Sequence, residues 1–294
     1  MSITGQTKLV GVFGYPVGHS LSPQMHNAAF EHLAMDWCYV PFAVAPTDLE
    51  QALRALPALG IVGVNVTIPL KEGALRAVDE VVPPADLVGA VNTVQRRDDR
   101  LVGYNTDVEG FTRSLGERGE DMTGRTVVVL GAGGAARAAV VALAQMGASR
   151  IWVMARRLEQ GAATAELARQ ASPQAQGAAI VWDDEGARRA LAAADALVNA
   201  TPIGMHPRPE ESPPIPEQWL RAGMLVYDMV YTPETTRLLE GAQRQGCRAI
   251  GGLRMLVLQG AAAFTIWTGR PAPVEVMHRA LVNALKQGRS ESPG

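Results

Sequence analysis

"RTVVVLGAGGAARAAVVALAQMGASRIWVMAR", residues 125–156, holds two apolar runs on either side of a glycine-rich turn and an alanine-rich segment. Thr126–Leu130 is a run of β-branched and apolar side chains, with the length and composition of a buried strand. Gly131-Ala132-Gly133-Gly134-Ala135-Ala136 follows in the pattern G-x-G-x-x-A, an Ala/Val helix comes next, and a second apolar run opens at Ile151. The glycine pattern alone is weak, but strand, glycine turn, helix and strand in that order make a Rossmann βαβ unit, which binds a dinucleotide. Gly131 permits the tight turn, Gly133 lets the backbone approach a pyrophosphate, and Ala136 is small enough for close helix–strand packing. Gly131, Ala132, Gly133, Gly134 and Ala135 are the expected cofactor turn.

The end of the second strand decides which dinucleotide. An acidic residue there accepts from the ribose 2′-hydroxyl of NAD, whereas arginine accommodates the 2′-phosphate of NADP. The chain reads Ala155-Arg156-Arg157-Leu158, with two guanidinium groups and no acid, so NADP is expected through Arg156 and Arg157, with NAD as the alternative.

Outward from this unit, apolar runs alternate with helical segments in an α/β pattern. Strands are expected near 8–13, 38–44, 61–66, 91–95, 101–104, 125–130, 150–155, 179–182, 196–200, 224–230 and 247–250. Helices are expected at 23–34, 47–55, 70–78, 108–118, 135–147, 159–170, 186–193, 253–268 and 273–287. The charged run 96–100 reads as a hairpin turn, and the tail 288–294 as disordered. With 294 residues, 47% hydrophobic and 19% charged, the chain has the length and apolar surface for two domains. A net charge of -2 without a basic block argues against a nucleic-acid partner. The longest apolar stretch, 253–267, contains Arg254 and Gln259 and is short for a membrane span, so no membrane partner is expected. Two cysteines, Cys38 and Cys247, and an N-terminus without a signal-peptide core point to a reducing, cytoplasmic setting.

The first half carries the polar groups. In "GHSLSPQMHN", residues 18–27, Pro23 suits a first helical position and Ser22 its N-cap, while Ser20 lies in the loop aimed at the positive end of the helix dipole. Together the two serines could hold a carboxylate. Thr67 and Lys71 stand where a buried strand gives way, at Pro69, to a helix, and Asn92 and Asp107 follow comparable runs. Lysine, carboxylate and amide or hydroxyl donors at strand ends suit a neutral polyol acid: the donors hold its hydroxyls while Lys71 and Asp107 move a proton during oxidation of one of them. No metal site is assigned.

The blocks "GHSLSPQMHNAAF", "GVNVTIPLKE", "GAVNTV", "GYNTDVEGF", "VLGAGGAARA", "NATPIGM", "YDMVYTPETTRLL" and "GLRMLVLQGAAAFTIWTG" occur in the order of the motifs of the shikimate/quinate dehydrogenase family, which the chain resembles up to about Leu285. The resemblance implies NADP-linked oxidation of the C3 hydroxyl of shikimate in a two-domain α/β enzyme with its active site in the cleft. The N-terminal substrate domain would span 1–106, completed by returning helices 252–294, and a Rossmann dinucleotide-binding domain 107–251. It further implies that Ser20 and Ser22 bind the carboxylate, that Lys71 and Asp107 are the catalytic pair, and that Thr67, Asn92 and Gln259 hold ring hydroxyls. Tyr227 would line the substrate pocket, and Thr201, Leu225, Gly252 and Met255 would border the cofactor. Three positions depart from the family pattern. Ala155 replaces a polar residue, Arg254 replaces a glycine and adds a positive charge near the expected ligands, and Pro83 replaces an acid. Quinate or an amino analogue as substrate, and a catalytically silent NADP-binding regulatory module, are the rival readings. The expected state is a monomer or homodimer.

Overall fold

The computed structural model describes residues 3–182 and 184–290. The chain divides into two compact units, Met1–Gly110 with Val257–Gly294, and Phe111–Leu256. Both chain crossings fall inside helices, a few residues beyond the 106/107 and 251/252 boundaries drawn from motif ends, because a continuous helix serves each unit with part of its length.

The first unit contains β1 (Lys8–Gly14), α1 (Ser22–His32), β2 (Trp37–Ala43), α2 (Leu49–Arg54), β3 (Ile61–Val66), α3 (Lys71–Ala77), β4 (Glu80–Val81), α4 (Ala85–Val88), β5 (Thr93–Arg97) and β6 (Arg100–Tyr104). α5 (Thr106–Gly116) leaves it. The sheet order is β2-β1-β3-β5-β6-β4, with β5 antiparallel to both neighbours and the other pairs parallel. Asp98, at φ 54, turns the β5–β6 hairpin at the expected charged tip. Phe13, Leu53, Leu56, Val64, Leu70 and Val94 pack together in one buried apolar core.

The second unit is a six-stranded parallel sheet in the order β12-β11-β10-β7-β8-β9. It comprises β7 (Thr126–Leu130), α6 (Gly134–Gln145), β8 (Arg150–Ala155), α7 (Leu158–Ala171), β9 (Gln176–Val181), α8 (Asp184–Ala193), β10 (Ala196–Asn199), β11 (Leu225–Asp228), α9 (Arg237–Arg244) and β12 (Arg248–Gly251). β7 is wholly buried and α6 nearly so, which explains why their sequences show apolar runs instead of a periodic face. The strand order reverses between β7 and β10, the switch point where such sheets bind ligands at their carboxyl edge. α10 (Leu253–Thr268) and α11 (Val274–Ser290) close the chain. α11 therefore continues through 288–290, which were expected to be disordered, and 291–294 lie outside the described residues. Among the described residues, no helix is long and apolar enough to cross a membrane.

Candidate active site

Three segments meet at one carboxylate in the first unit. After β3, the Thr67 N–H donates to the Phe13 carbonyl (2.9 Å) and the Leu70 N–H to the Thr67 carbonyl (2.8 Å), a tight turn from which α3 starts at Lys71. The Lys71 carbonyl accepts from Val91 N–H at 3.0 Å, drawing in the segment that carries Asn92. Asn105 Oδ1 accepts the Asp107 and Val108 N–H groups (3.1 and 3.4 Å), capping α5 so that Asp107 stands in its first turn, where the dipole favours an anion. Lys71 Nζ donates to Asp107 Oδ2 at 2.5 Å, and Asn92 Nδ2 donates to Asp107 Oδ1 at 2.9 Å. The Lys71 side chain keeps 19% of its surface open and that of Asp107 9%, so the pair is sheltered yet reachable. Such a pair can hold a proton and pass it to or from a hydroxyl placed against the amine.

Around the pair, Asn92 has both amide hydrogens engaged, by Thr106 Oγ1 and Asp107 Oδ1, so a ring hydroxyl would share one of them. Thr106 Oγ1 reaches Gln259 Oε1 at 3.5 Å, bringing Gln259 of α10 to the same cluster. The expectation that Ser22 caps α1 is corrected. The helix starts at Ser22 itself, Leu21 is the capping residue without a side-chain bond, and Ser20 Oγ instead accepts the Ser22 N–H at 3.4 Å. Ser22 is thereby turned inward toward the Tyr39 phenol.

Tyr227 is a second correction. It lies fully buried on β11 of the other unit, its hydroxyl paired with Ser114 Oγ at 2.7 Å and its ring edge-on to Phe111, so it docks α5 onto the sheet instead of lining a pocket. Tyr231, in the loop after β11, is the partly exposed phenol of the same motif, and the sequence reading passed over it.

In the second unit, Gly131 at φ +105 is the turn after β7. A side chain there would be strained, and its Cβ would stand 3.2 Å from Thr201 Cγ2. Gly133 is the N-cap residue of α6, with open space where a Cβ would stand, and Gly134 begins the helix. Ala132 accepts a hydrogen bond from Thr164 Oγ1 at 3.4 Å, and Ala135 is partly exposed in the first turn. Arg156 and Arg157 are exposed at the end of β8, and among the described residues neither forms an ion pair. Thr201 is held by Asn199, whose Oδ1 accepts the Thr201 N–H and hydroxyl at 3.1 and 2.7 Å. Gly252 follows β12 and lies so close to Met229 that a Cβ would meet its carbonyl oxygen at 2.2 Å. Met255 is buried in the first turn of α10. Leu225 does not belong with these residues. It begins β11, paired with Ala196 and Arg248 at the amino ends of their strands, opposite the edge that carries the glycine turn. Arg254 forms an ion pair with Glu117 at 2.5 Å, so the charge absent from the family pattern is spent within the protein.

Asp228 is the functional support that sequence reading missed; an acid inside the apolar run "LVYDMV" was the available signal. Fully buried, it accepts from Asn199 Nδ2 (2.9 Å), Thr236 Oγ1 (2.6 Å) and Val230 N–H (3.0 Å), and so fixes the Thr201 loop through Asn199. Burial pushes its carboxyl up to about 6, against those three donors. Because the folded-state value lies above the unfolded one, the contribution is fully present below about pH 4 and is lost as pH rises through 6. The isosteric Asp228→Asn variant, with the Thr236 hydroxyl turned to accept, should escape that loss. Its stability relative to wild type is expected to rise between pH 4 and 7 by on the order of 3 kcal/mol. Denaturant melts of both proteins across that window check this; a flat or falling difference would contradict it.

A parallel sheet with a glycine turn at its switch point, in one chain with a unit bearing a lysine–carboxylate pair, defines a nucleotide-dependent dehydrogenase. Residues 12–94 match the shikimate dehydrogenase substrate-binding domain and residues 252–282 the shikimate 5′-dehydrogenase C-terminal domain. Shikimate dehydrogenase (NADP⁺) of Moorella thermoacetica is 49% identical over 287 residues, 97% of this chain and 96% of the relative. A solved shikimate dehydrogenase in complex with NADP⁺ superposes with a TM-score of 0.91 at 38% identity, covering 97% of this chain and 98% of its own. Quinate dehydrogenase from Corynebacterium glutamicum in complex with NAD reaches 0.86 at 32% identity, covering 94% and 99%. The chain belongs to the shikimate dehydrogenase family.

Proposed function

We infer that this protein is an NADP-dependent oxidoreductase that interconverts shikimate and 3-dehydroshikimate by oxidation at the C3 hydroxyl. The observation that carries the reading is the 2.5 Å contact between Lys71 and Asp107 in a chain of this family. The residues fit the cofactor. Gly131 is pressed against Thr201, the space over Gly133 is open above the N-terminus of α6, and two exposed arginines, without an ion pair among the described residues, stand at the end of β8 where a 2′-phosphate would lie. When bound, NADP⁺ supplies the hydride acceptor. Lys71 Nζ accepts the proton released at the C3 hydroxyl, while Asp107 orients the amine and shares the proton. Ser20 and Ser22 hold the substrate carboxylate near the start of α1, and Thr67, Asn92 and Gln259 hold its ring hydroxyls. The retained Lys71–Asp107 contact argues against a silent regulatory module, and relatives named shikimate dehydrogenase (NADP⁺) at 49% and 44% identity favour shikimate over quinate. Cys38 and Cys247 are free thiols, which supports placing the reaction in the reducing cytoplasm.

Cofactor choice tests this reading. Arg156→Ala is expected to weaken NADP by about ten- to a hundredfold while leaving NAD nearly unchanged, since a charge-assisted hydrogen bond contributes about 1.5–3 kcal/mol. Steady-state KM values for both cofactors read the effect. Equal losses, or none, would contradict the assignment of Arg156 to the 2′-phosphate.

A further inference from the structure

A buried hydrogen-bonded chain runs through the first unit and ends on Asp107. Tyr39 OH meets Asn65 Oδ1 at 2.8 Å, Asn65 Nδ2 meets Thr93 Oγ1 at 3.0 Å, Thr93 Oγ1 meets Asn92 Oδ1 at 3.1 Å, and Asn92 Nδ2 meets Asp107 Oδ1 at 2.9 Å. Tyr39 is on β2 and Asn65 on β3, with β1 between them in the sheet, so the phenol reaches across an entire strand to make its contact.

The direction of every bond follows from one fixed donor. The Thr106 backbone N–H donates to Asn92 Oδ1 at 2.8 Å, which assigns oxygen and nitrogen of the Asn92 amide. Thr93 then donates its single hydroxyl hydrogen to Asn92 Oδ1 at 3.1 Å, the nearer of two acceptors since Thr106 Oγ1 lies at 3.3 Å, and accepts from Asn65. That leaves Asn65 Oδ1 facing Tyr39, so the phenol donates. Burial raises the phenol pKa and keeps it protonated, as donation requires. His26, stacked on Tyr39 with ring centroids 4.4 Å apart, is pulled down to about 3 by burial and stays neutral, so the stack places no charge beside the chain. All four donors point toward the carboxylate, and aligned hydrogen bonds in a dry interior polarise one another.

We propose that Tyr39 is a positioning residue, acting through Asn65, Thr93 and Asn92 to hold the Asp107 carboxylate in register with Lys71. Tyr39 is 1% exposed, and its phenol also faces Ser22, so a loss passed on through that serine would appear in KM and a loss passed on through the chain in kcat. The proposal rests on the assignment of Lys71 and Asp107 to proton transfer.

Kinetics on the full-length protein test it. Wild-type turnover of shikimate with NADP⁺ is measured first and reads the underlying assignment by itself; its absence overturns that assignment and this proposal together. Given turnover, Tyr39→Phe, which keeps the stacked ring, and Thr93→Val, which keeps the volume, should each lower kcat by about tenfold, with KM for shikimate within about twofold. Either substitution cuts the same chain, so the double variant should be no slower than the worse single one. Thr93→Ser, which retains the hydroxyl, should recover kcat. Losses that multiply to about a hundredfold, appear in KM alone, or persist in Thr93→Ser would overturn the proposal. If Tyr39→Phe does not fold, the Thr93→Val and Thr93→Ser pair decides by the same criterion.

Discussion

Lys71→Ala is expected to lower kcat by about 10²–10⁴, the usual worth of general acid–base assistance, with KM for shikimate changed much less. The asymmetry follows from geometry. Lys71 opens α3 and its Nζ donates to Asp107 Oδ2 at 2.5 Å. Removing the amine leaves the Asn92–Asp107 bond and the serine and glutamine positions in place, so binding survives while the proton acceptor is lost. Steady-state kinetics with shikimate and NADP⁺ decide it. A variant that keeps kcat within a few-fold while KM rises would make Lys71 a binding residue and move the proton acceptor to Asp107.

Asp107→Asn is expected to lower kcat by at least about 10² and also to raise KM. The carboxylate accepts from two donors on its two oxygens, Lys71 Nζ and Asn92 Nδ2. An amide offers one oxygen, so its NH₂ must face one of those donors, and Lys71 loses its counter-charge in a sheltered site. The same kinetics, paired with a thermal melt, separate the chemical effect from a folding defect. Normal kcat with a lowered melting temperature would show Asp107 to be structural only.

The residues that sequence reading placed well were those whose signal is local. The Gly131 turn sits between a strand and a helix that are contiguous in the chain, and Lys71 and Asp107 both begin helices just after strands, where a change of periodicity can be seen. What escaped was short or non-local. β4 and α4 span two and four residues, too few to show any period. β11 is buried on both faces, so alternation could not tell the inward Tyr227 from a residue at the site, nor place Leu225 at the amino end of its strand. Ser22 directly before Pro23 has the pattern of an N-cap, and a single residue separates a cap from the first helical position, so the pattern could not show that Ser22 lies inside the helix. The Arg254–Glu117 pair and the Tyr39–Asn65 bond join segments far apart in sequence, and no spacing rule announces them.

Absorbance at the reduced-nicotinamide band during a substrate-by-cofactor grid reads whether this chain oxidises shikimate with NADP⁺. With wild-type protein, shikimate and quinate each paired with NADP⁺ and NAD⁺, the account predicts the highest kcat/KM for shikimate with NADP⁺ and loss of that turnover in Lys71→Ala. Cofactor binding without reduction on any of these substrates, or reduction confined to quinate with NAD⁺, would contradict it.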